Sequence, residues 1–503
     1  MSSLANWMER AFSGLSPSLR FRDVGALSLA AAAGLAVYLI ASQWTHSLGF
    51  PLDDSWIHAT FARNLALRGQ WAMQLGQPSA ASTSPLWTAL LAPGYWVGLA
   101  PLWWSHLLNL AMLVGLGLMT EAGVRHLEAG YRPPLPLVGL LVVTEWHLLW
   151  AAASGMETIL QAFLSTGVLL LLVHGSKQYT ALGLLCGLSI WVRPDGLLLS
   201  GVVVLALAGS SAGKSVQIRA LSSYVLGLGA LLLPYVALHL GLSGAPMPNA
   251  FYAKQAEYAA WQARPVAERF ATGVLQLSAG PAVLLWPGLG LAAVQIARKG
   301  DFRLTMALLW CILYPAIYLL RLPAYQHGRY LMPAMPMLLL LAVLGALRLG
   351  ASSALGKYRW TLQKSWQVSV ACLSLAFLGL GARAYGQDVA LIETEMVATA
   401  SWASKNLPAA AVIAAHDIGA LGYYDDHSLR DLAGLASPEV VPFMRDEAGL
   451  AAYLDQQGVK YLIAFPGQYP MLTSSSTFVH ASGGRFASAA GQGNLTVYCW
   501  RCP

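Results

Sequence analysis

Two adjacent carboxylates, Asp53 and Asp54, stand about ten residues beyond the first long apolar segment of the chain. Carboxylates beside apolar residues near a membrane are costly unless they are used, so one is a candidate general base or metal ligand, positioned by the other. The structural alternative makes Asp53 the N-cap and Asp54 a first-turn residue of a helix that extends to Leu67. His58, on the same segment, is a candidate substrate-binding residue.

Two further acidic residues and an arginine lie at breaks between apolar segments. Glu157 stands where one segment ends and the next begins, either as a second catalytic carboxylate that holds the acceptor or a metal, or as a first-turn helix acid. Arg193 and Asp195 interrupt an apolar hairpin, and charges at such a depth face a cavity or each other. Arg193 is therefore a candidate phosphate ligand and Asp195 a candidate substrate-binding residue, with a structural ion pair as the alternative.

Cationic and aromatic side chains occur together in two later loops. Lys254 follows Tyr252 in the first loop, and His327, Arg329 and Tyr330 enter the tenth apolar segment. Lys254, His327 and Arg329 are candidate ligands of a lipid phosphate, with Tyr252 and Tyr330 as substrate-binding neighbours. Snorkelling lysine beside interfacial tyrosine is the structural alternative for the first loop.

His416 and Asp417 follow a predicted strand near the C-terminus, where side chains point into a loop. Functional sites tend to collect in such loops, so both are candidate substrate-binding residues. The alternatives are turn formation by Asp417 and a buried, hydrogen-bonded His416.

The composition requires lipid as the solvent for most of the chain. Of 503 residues, 56% are hydrophobic and 11% are charged, against about 25% charged in soluble domains. The net charge of +7 does not indicate nucleic-acid binding, because Lys and Arg are spread through short loops. Eleven apolar segments are predicted to span a membrane: 24–42, 103–122, 134–153, 157–174, 179–191, 195–209, 220–241, 271–296, 303–320, 329–348 and 365–384.

The distribution of Lys and Arg predicts which loops face outward. Arg10, Arg20 and Arg22 precede the first segment. With a cytoplasmic N-terminus, and leaving the C-terminal domain aside, fifteen Lys and Arg lie inside against eight outside. This bias holds only if 84–100 does not cross, so that stretch is predicted to be an interfacial or re-entrant helix in a long first outside loop. All candidate site residues then lie outside.

The composition changes after the last apolar segment. Strands near 412–415 and 461–465 and an amphipathic helix at 447–457, ended by Gly458, predict a small α/β domain. We therefore divide the chain into a transmembrane catalytic domain, 1–384, and an extracytoplasmic soluble α/β domain, 385–503. Cys499 and Cys502 have the spacing for a disulfide in an oxidising compartment.

These motifs, taken in order, resemble the GT-C superfamily of membrane glycosyltransferases, which use polyprenyl-phosphate sugars. The resemblance is strongest to the branch containing the mycobacterial terminal β-(1→2)-arabinofuranosyltransferase. It rests on residues 52–57 (LDDSWI), 62–65 (ARNL), 82–87 (STSPLW), 154–158 (SGMET), 193–196 (RPDG), 248–254 (PNAFYAK), 329–333 (RYLMP), 417–423 (DIGALGY) and 431–435 (DLAGL).

The resemblance implies an inverting transferase in the bacterial cytoplasmic membrane with its active site on the outer face. The donor would carry arabinofuranose or another pentose or hexose on polyprenyl phosphate, and the acceptor would be a cell-envelope glycan, lipid or protein. Asp53 or Asp54 would be the base, and Glu157 would hold the acceptor or orient the base. The resemblance does not fix a cofactor; a divalent cation is allowed, because some members use one, but its ligands are unknown.

Two other classes share the expected lipid-phosphate groove. A transporter or flippase for a lipid-linked sugar would bind the same donor without needing Asp53 or Asp54 for turnover. A non-catalytic envelope-assembly protein would use its C-terminal domain to bind a partner. Substituting the outside carboxylates separates the three classes.

Overall fold

The computed structural model describes residues 19–211, 213–351, 353–489, 491 and 493–502. Arg10, one of the basic residues used to orient the chain, lies outside the described residues. The chain is mostly α-helical, with a small sheet near its C-terminus. The first ten helices are α1 Phe21–Thr45, α2 Asp53–Arg68, α3 Pro85–Trp96, α4 Pro101–Leu127, α5 Leu137–Val143, α6 Trp146–Ala153, α7 Thr158–Val173, α8 Tyr179–Val192, α9 Gly196–Ala208 and α10 Lys214–Ser243.

The later helices complete the membrane part and continue into the C-terminal domain. A short hairpin, β1 Ala72–Gln74 and β2 Gln77–Pro78, lies between α2 and α3. Apart from 3-10 turns and the single irregular turn Tyr325–Gly328, the remaining helices of the larger part are α11 Asn249–Glu257, α12 Ala259–Gln262, α13 Val266–Ser278, α14 Trp286–Lys299, α15 Phe302–Arg321, α16 Met335–Ala351 and α17 Arg359–Ile392.

The described residues contain seven helices that are long and apolar enough to cross a membrane, and α7, α8 and α9 are shorter apolar helices. The protein is therefore a multi-pass membrane protein. The hairpin around Arg193 is two helices, α8 and α9, rather than one bent helix. The predicted span 271–296 is not one helix: α13 ends at Ser278, Gly280 has a φ of 98°, and Pro281 begins a new turn.

The loop between α1 and α4, which is predicted to lie outside, holds two helices, α2 and α3. Helix α3 has 12 residues and is therefore about 18 Å long, too short for a hydrocarbon core of about 30 Å. It packs on α2, and the Trp104 indole on α4 donates to its Leu90 carbonyl at 2.9 Å. This length fits the prediction that 84–100 does not cross.

Glycines allow two of the membrane helices to approach closely. A side chain at Gly183 on α8 would collide with the Tyr224 carbonyl, and one at Gly227 on α10 would collide with the Thr180 carbonyl. Small residues at such contacts let helix backbones pack directly where lipid provides no hydrophobic drive. The α8–α10 pair supports the Arg193 turn at one end.

Helix α17 carries the chain from the membrane part into the C-terminal domain. It runs through the predicted boundary at residue 385 and continues through a π-helical turn, Glu393–Val397, into α18, Ala398–Asn406. Buried Glu395 in that turn accepts from the Leu495 amide at 2.8 Å and from the Ser482 hydroxyl. The predicted boundary therefore falls within a continuous helix, and its position stays a prediction.

The C-terminal domain is built on five strands: β3 Val412–Ala415, β4 Ser428–Asp431, β5 Tyr461–Ala464, β6 Ser476–Ala481 and β7 Thr496–Trp500. They form one sheet in the order β4-β3-β5-β7-β6. Strands β3, β4 and β5 are parallel, whereas β7 is antiparallel to both neighbours. Cys499 and Cys502 form a disulfide at the end of β7. The helices that follow α18 in this domain are α19 Gly419–Tyr424, α20 Glu447–Gln456, α21 Pro470–Ser474 and α22 Arg485–Ala489.

Helix α19 docks the C-terminal domain on α2. The Trp56 ring packs against Tyr423 and Tyr424, with ring centroids 4.8 and 4.9 Å away. The Arg63 guanidinium donates to the Tyr423 carbonyl at 2.7 Å. This contact holds the loop after β3 over the start of α2, where Asp53 and Asp54 lie.

Candidate active site

Asp53 and Asp54 are the first two residues of α2. Leu52 is the N-cap in an extended conformation, so Asp53 lies one position further into the helix than the N-cap predicted from the sequence. Carboxylates are stabilised at a helix N-terminus because the unpaired amides there carry partial positive charge. Consecutive helical residues point about 100° apart, so the two carboxylates have different partners.

Asp53 binds the C-terminal domain. Its two carboxylate oxygens accept from the Gly419 amide at 2.6 Å and the Ala420 amide at 2.8 Å. Gly419 is required there, because a side chain would collide with the Asp53 carbonyl. Burial, together with the charge of Asp417, raises the pKa of Asp53 to about 7 in spite of these two hydrogen bonds.

Asp54 faces the cations instead. Its Oδ2 accepts from the Arg329 guanidinium at 2.5 Å and lies 3.8 Å from Lys254 Nζ. Burial alone would raise the pKa of Asp54, but the charges of Arg329 and Lys254 outweigh it and hold the pKa well below its usual range. About a third of the side chain remains exposed, so the carboxylate can be reached by a ligand.

Arg329 is buried, but only some of its guanidinium N–H groups donate hydrogen bonds within the described residues. Besides Asp54 it donates to the Tyr330 hydroxyl at 2.9 Å, and its Nε and Nη1 have no hydrogen-bond partner among the described residues. The Lys254 ammonium donates to the same hydroxyl at 2.9 Å. A buried guanidinium with unused donors beside an ammonium is an arrangement that binds an anion such as phosphate.

A strained turn precedes Arg329. Gln326 and His327 have φ values of 51° and 58°, in a region that non-glycine residues rarely adopt. The turn directs His327 towards α17, where its Nε2 lies 2.8 Å from Asp388. Backbone strain of this kind persists where surrounding contacts enforce it and is frequent at functional sites.

A second charged cluster surrounds Arg193. The guanidinium donates to Glu157 at 3.2 Å, to Asp195 at 3.2 Å and to the Tyr318 hydroxyl at 2.7 Å. Asp195 also accepts from the Tyr314 hydroxyl at 2.7 Å. Arg193 and Asp195 therefore pair with each other and also line a cavity.

Glu157 links this cluster to His58. Its Oε2 lies 3.6 Å from His58 Nε2, and His58 Nδ1 lies 3.1 Å from the Thr88 hydroxyl. Burial lowers the pKa of His58, which favours the neutral ring at neutral pH. His58 is 2% exposed, so it supports Glu157 from behind rather than facing the cavity.

Two cavities meet at Asp54. The larger, about 390 Å³, has an apolar wall that includes Leu197, Phe251 and Ile317 and a charged end formed by Arg193, Glu157 and Asp195. The smaller, a chamber of about 130 Å³, is bounded by the C-terminal domain. Both volumes are lined by Asp54, Lys254, Arg329 and Tyr330.

The chamber is polar. Asp53, Glu257, His416 and Asp417 line it together with Tyr258. His416 Nε2 lies 3.8 Å from Glu257, and its Nδ1 lies 2.8 Å from the Tyr469 hydroxyl. Burial disfavours the charged ring, but the interaction with the nearby Glu257 carboxylate and the charge of Asp417 outweigh this and raise the pKa of His416 to about 9.

The structure thus brings most of the predicted site residues together. Asp54, Glu157, Arg193, Asp195, Lys254, Arg329 and Tyr330 line the larger cavity, and Asp53, His416 and Asp417 line the chamber. Tyr252 packs edge-on against Phe251 and is 37% exposed, and neither Tyr252 nor His327 lines these volumes.

Sequence reasoning missed Glu257 and Tyr318. Glu257 is three residues after Lys254 on α11, a spacing that places both on one helix face. Tyr314 and Tyr318 lie four residues apart on α15, so they share one face of an apolar helix. That spacing could have indicated a polar contact at this face. Within the described ranges, no group of three or more His, Cys, Asp or Glu side chains is arranged to hold a metal ion.

The Asp53 contacts give a first prediction. In Asp53→Asn the amide nitrogen faces one of the two backbone N–H groups, so one hydrogen bond is replaced by a donor–donor contact. We expect the C-terminal domain to dock on α2 more weakly by about 1–3 kcal/mol. This change corresponds to roughly 5- to 150-fold faster amide exchange in residues 416–424. Hydrogen-exchange mass spectrometry measures this, with exposed Asp426→Asn as the control. Unchanged exchange in Asp53→Asn would contradict the docking role.

The raised pKa of His416 predicts a pH dependence. The protonated His416 ring stabilises the folded protein because its charge interacts with the carboxylates of Glu257 and Asp417. This contribution to the free energy of unfolding is complete below about pH 6.5 and is lost as the pH rises through about 9. Asp53 is already ionised above pH 7. The difference in Tm between wild type and His416→Gln, measured in detergent, should therefore shrink between pH 7 and pH 9. A constant difference over that range would exclude this contribution.

Comparisons with known proteins support the fold. A family model for a domain of unknown function, DUF8728, matches residues 385–498. No curated protein sequence matches the chain.

Two similar solved structures are both ArnT from Cupriavidus metallidurans. The apo state has a TM-score of 0.61 and 17% identity, covering 94% of this chain and 97% of ArnT. The form bound to undecaprenyl phosphate has a TM-score of 0.60 and 17% identity, covering 94% and 98%. The chain therefore has an ArnT-like GT-C fold, which confirms the predicted fold class.

Proposed function

We propose that the chain is an inverting glycosyltransferase that moves a sugar from a polyprenyl-phosphate donor to an acceptor hydroxyl. The observation that carries this proposal is the junction of the two cavities. There, buried Arg329 presents unpartnered N–H groups beside Lys254, and the Asp54 carboxylate lies within reach of both volumes.

The larger cavity suits the donor. Its apolar wall matches a polyprenyl chain, and the cationic side formed by Lys254 and Arg329 matches the phosphate to which the sugar is attached. The similarly folded ArnT binds undecaprenyl phosphate, which supports this choice of lipid. Lys254 and Arg329 would hold the phosphate oxygens, and Arg193 would lie at the other side of the bound headgroup.

The proposed reaction depends on a general base for the acceptor hydroxyl rather than on a general acid for the leaving phosphate. Asp54 removes the proton from the acceptor hydroxyl, the oxygen forms a bond to the anomeric carbon, and the bond from that carbon to the phosphate oxygen breaks. The electron pair leaves with polyprenyl phosphate, whose added charge is stabilised by Arg329 and Lys254. Attack opposite the leaving group inverts the anomeric configuration.

Donor binding would also activate Asp54. In the structure its pKa is held down by the same two cations that a phosphate would engage. A phosphate that shares Arg329 and Lys254 weakens their hold on the carboxylate, so the pKa of Asp54 rises and the group becomes a stronger base. This couples base activation to the presence of the donor.

The remaining cluster would position the headgroup and the sugar. Glu157 fixes Arg193 while His58 supports Glu157 from behind, and Asp195 with Tyr318 completes the ring of contacts. In this arrangement Glu157 orients Arg193 rather than acting as a second base. Asp195 and Tyr330 are placed to contact the donor sugar.

The acceptor would enter through the chamber. Asp53 holds the C-terminal domain in place, and Asp417 and His416 supply hydrogen-bonding groups on that side. The resemblance to the mycobacterial arabinofuranosyltransferase branch favours arabinofuranose as the sugar and a cell-envelope glycan as the acceptor. The Lys and Arg distribution supports the proposal that this side faces outward from the cytoplasmic membrane of a bacterium.

The test is donor consumption by the purified protein. Wild type is incubated with a panel of polyprenyl-phosphate sugars and, as the matched control, with the corresponding nucleotide sugars. We expect wild type to release polyprenyl phosphate only when an envelope-glycan acceptor is present. We expect it not to consume the nucleotide sugars. Binding of the lipid-linked sugars without consumption of any would refute the transferase and favour a flippase.

A further inference from the structure

A second polar cavity lies beyond the chamber, and nothing in the proposed reaction uses it. It has a volume of about 320 Å³ and lies between the β1–β2 hairpin of the first outside loop and the C-terminal domain. This volume is within the range of about 300–1,000 Å³ that holds small ligands. We call it the outer cleft and define it by its polar lining residues Gln74, Gln77, Arg430, Asp431, Ser437 and Glu439.

One loop separates the outer cleft from the chamber. Residues 431–437 wrap around the buried Asp431 carboxylate, which accepts from the Ala433 amide at 2.8 Å and the Ala436 amide at 2.6 Å. Ala433 and Leu435 face the chamber, whereas Ala436 and Ser437 face the outer cleft. The same short loop therefore contributes lining residues to both cavities, so a chain molecule that occupies both would lie against it.

The polar groups of the outer cleft are fixed in place. Arg430 Nε donates to the Gln457 amide oxygen at 2.9 Å, and the Gln74 side chain donates to the His427 carbonyl at 2.9 Å. Ser437 Oγ accepts from the Asp431 amide at 3.2 Å. A preorganised set of amides and hydroxyls binds a polar ligand without first having to be ordered.

The chemistry of the outer cleft selects a neutral ligand. Its lining holds one cation, Arg430, and that guanidinium is already engaged by Gln457, Ser428 and the Leu429 carbonyl. Asp431 and Glu439 are carboxylates, so an anionic ligand would meet net negative charge. Side-chain amides such as Gln77 both donate and accept hydrogen bonds, which matches the hydroxyls of an uncharged sugar.

We infer that the outer cleft is a distal binding site for a neutral oligosaccharide, the part of the acceptor that lies behind its reacting sugar. The inference rests on the proposed function in one respect, that the chamber takes the acceptor hydroxyl. It narrows the acceptor to a glycan of several sugars, and it makes the C-terminal domain a determinant of acceptor length.

The test measures binding first, without donor. Purified full-length protein is titrated with arabinan, galactan, mannan and glucan oligosaccharides of increasing length, and binding is followed by saturation-transfer NMR and calorimetry. Gln77→Trp fills the outer cleft from the hairpin, and Leu75→Trp, on the same hairpin and not in the lining, is the matched control. We expect at least one neutral series to bind more tightly with length, about tenfold weaker binding in Gln77→Trp, and no change in Leu75→Trp.

The outcomes separate this inference from the proposed reaction. Length-dependent binding that Gln77→Trp removes, in a protein that consumes no lipid donor, supports the outer cleft and refutes the transferase. Donor consumption with equal use of short and long acceptors, and no effect of Gln77→Trp, supports the transferase and refutes the outer cleft. Absence of binding by every neutral series, or equal binding of uronate-containing oligosaccharides, also overturns the inference.

Discussion

Asp54→Asn is expected to lower kcat by about 10²- to 10⁴-fold, the usual contribution of a general base. Asparagine keeps the shape of the side chain but cannot accept the proton of the acceptor hydroxyl. It also removes the negative charge that competes with phosphate for Arg329 and Lys254, so donor binding should be retained or tightened. Single-turnover kinetics, combined with donor binding to each variant, separates the two effects.

The neighbouring carboxylate provides the matched control. Asp53→Asn weakens docking of the C-terminal domain, so its effect should fall mainly on acceptor KM rather than on the chemical step. If Asp53→Asn abolished turnover while Asp54→Asn remained active, the assignment of the base would be reversed. Loss of donor binding in Asp54→Asn would show instead that Asp54 organises the phosphate site.

Arg329→Gln is expected to weaken donor binding by about 10- to 150-fold, because hydrogen bonds to charged groups contribute about 1.5–3 kcal/mol. The effect on kcat/KM should be larger, since the leaving phosphate gains charge in the transition state. Arg329→Lys keeps the charge but loses the planar fork, so it should recover only part of the loss. Binding of polyprenyl phosphate, measured by native mass spectrometry, tests both variants.

Two controls keep the Arg329 result interpretable. Removing one partner of a buried ion pair destabilises proteins, so the Tm of each variant must be compared with that of wild type. Arg264→Gln removes an exposed arginine on the same side of the protein, paired with Glu268, and should leave donor binding unchanged. Donor binding by a folded Arg329→Gln variant at the wild-type level would rule out Arg329 as a phosphate ligand.

Much of the architecture could be predicted because lipid imposes simple rules. Long apolar segments became helices near their predicted positions, and Pro and Gly residues correctly marked the Arg193 turn and the short helix α3. Two predicted spans are broken into shorter helices, 134–153 at Thr144 and Glu145 and 271–296 at Gly280. The break in 271–296 has a local cause. A hydropathy average over that window does not register that Gly280 adopts a positive φ and ends the helix before Pro281.

The partners of individual site residues could not be predicted. Asp53 and Asp54 are equivalent in sequence, and only the docking of α19 on α2 gives Asp53 to the Gly419 and Ala420 amides and leaves Asp54 to Arg329. His327 is two residues from Arg329 and has suitable chemistry, but the strained turn directs it to Asp388. Such differences depend on tertiary contacts between distant segments.

The most direct test of the proposed function follows one sugar from donor to product. A polyprenyl-phosphate sugar with an isotopically labelled anomeric carbon is incubated with an envelope-glycan acceptor and either wild type or Asp54→Asn. NMR of the product should show a new glycosidic bond of inverted anomeric configuration with wild type and none with the variant. A product of retained configuration, or equal product from Asp54→Asn, would contradict direct displacement assisted by Asp54.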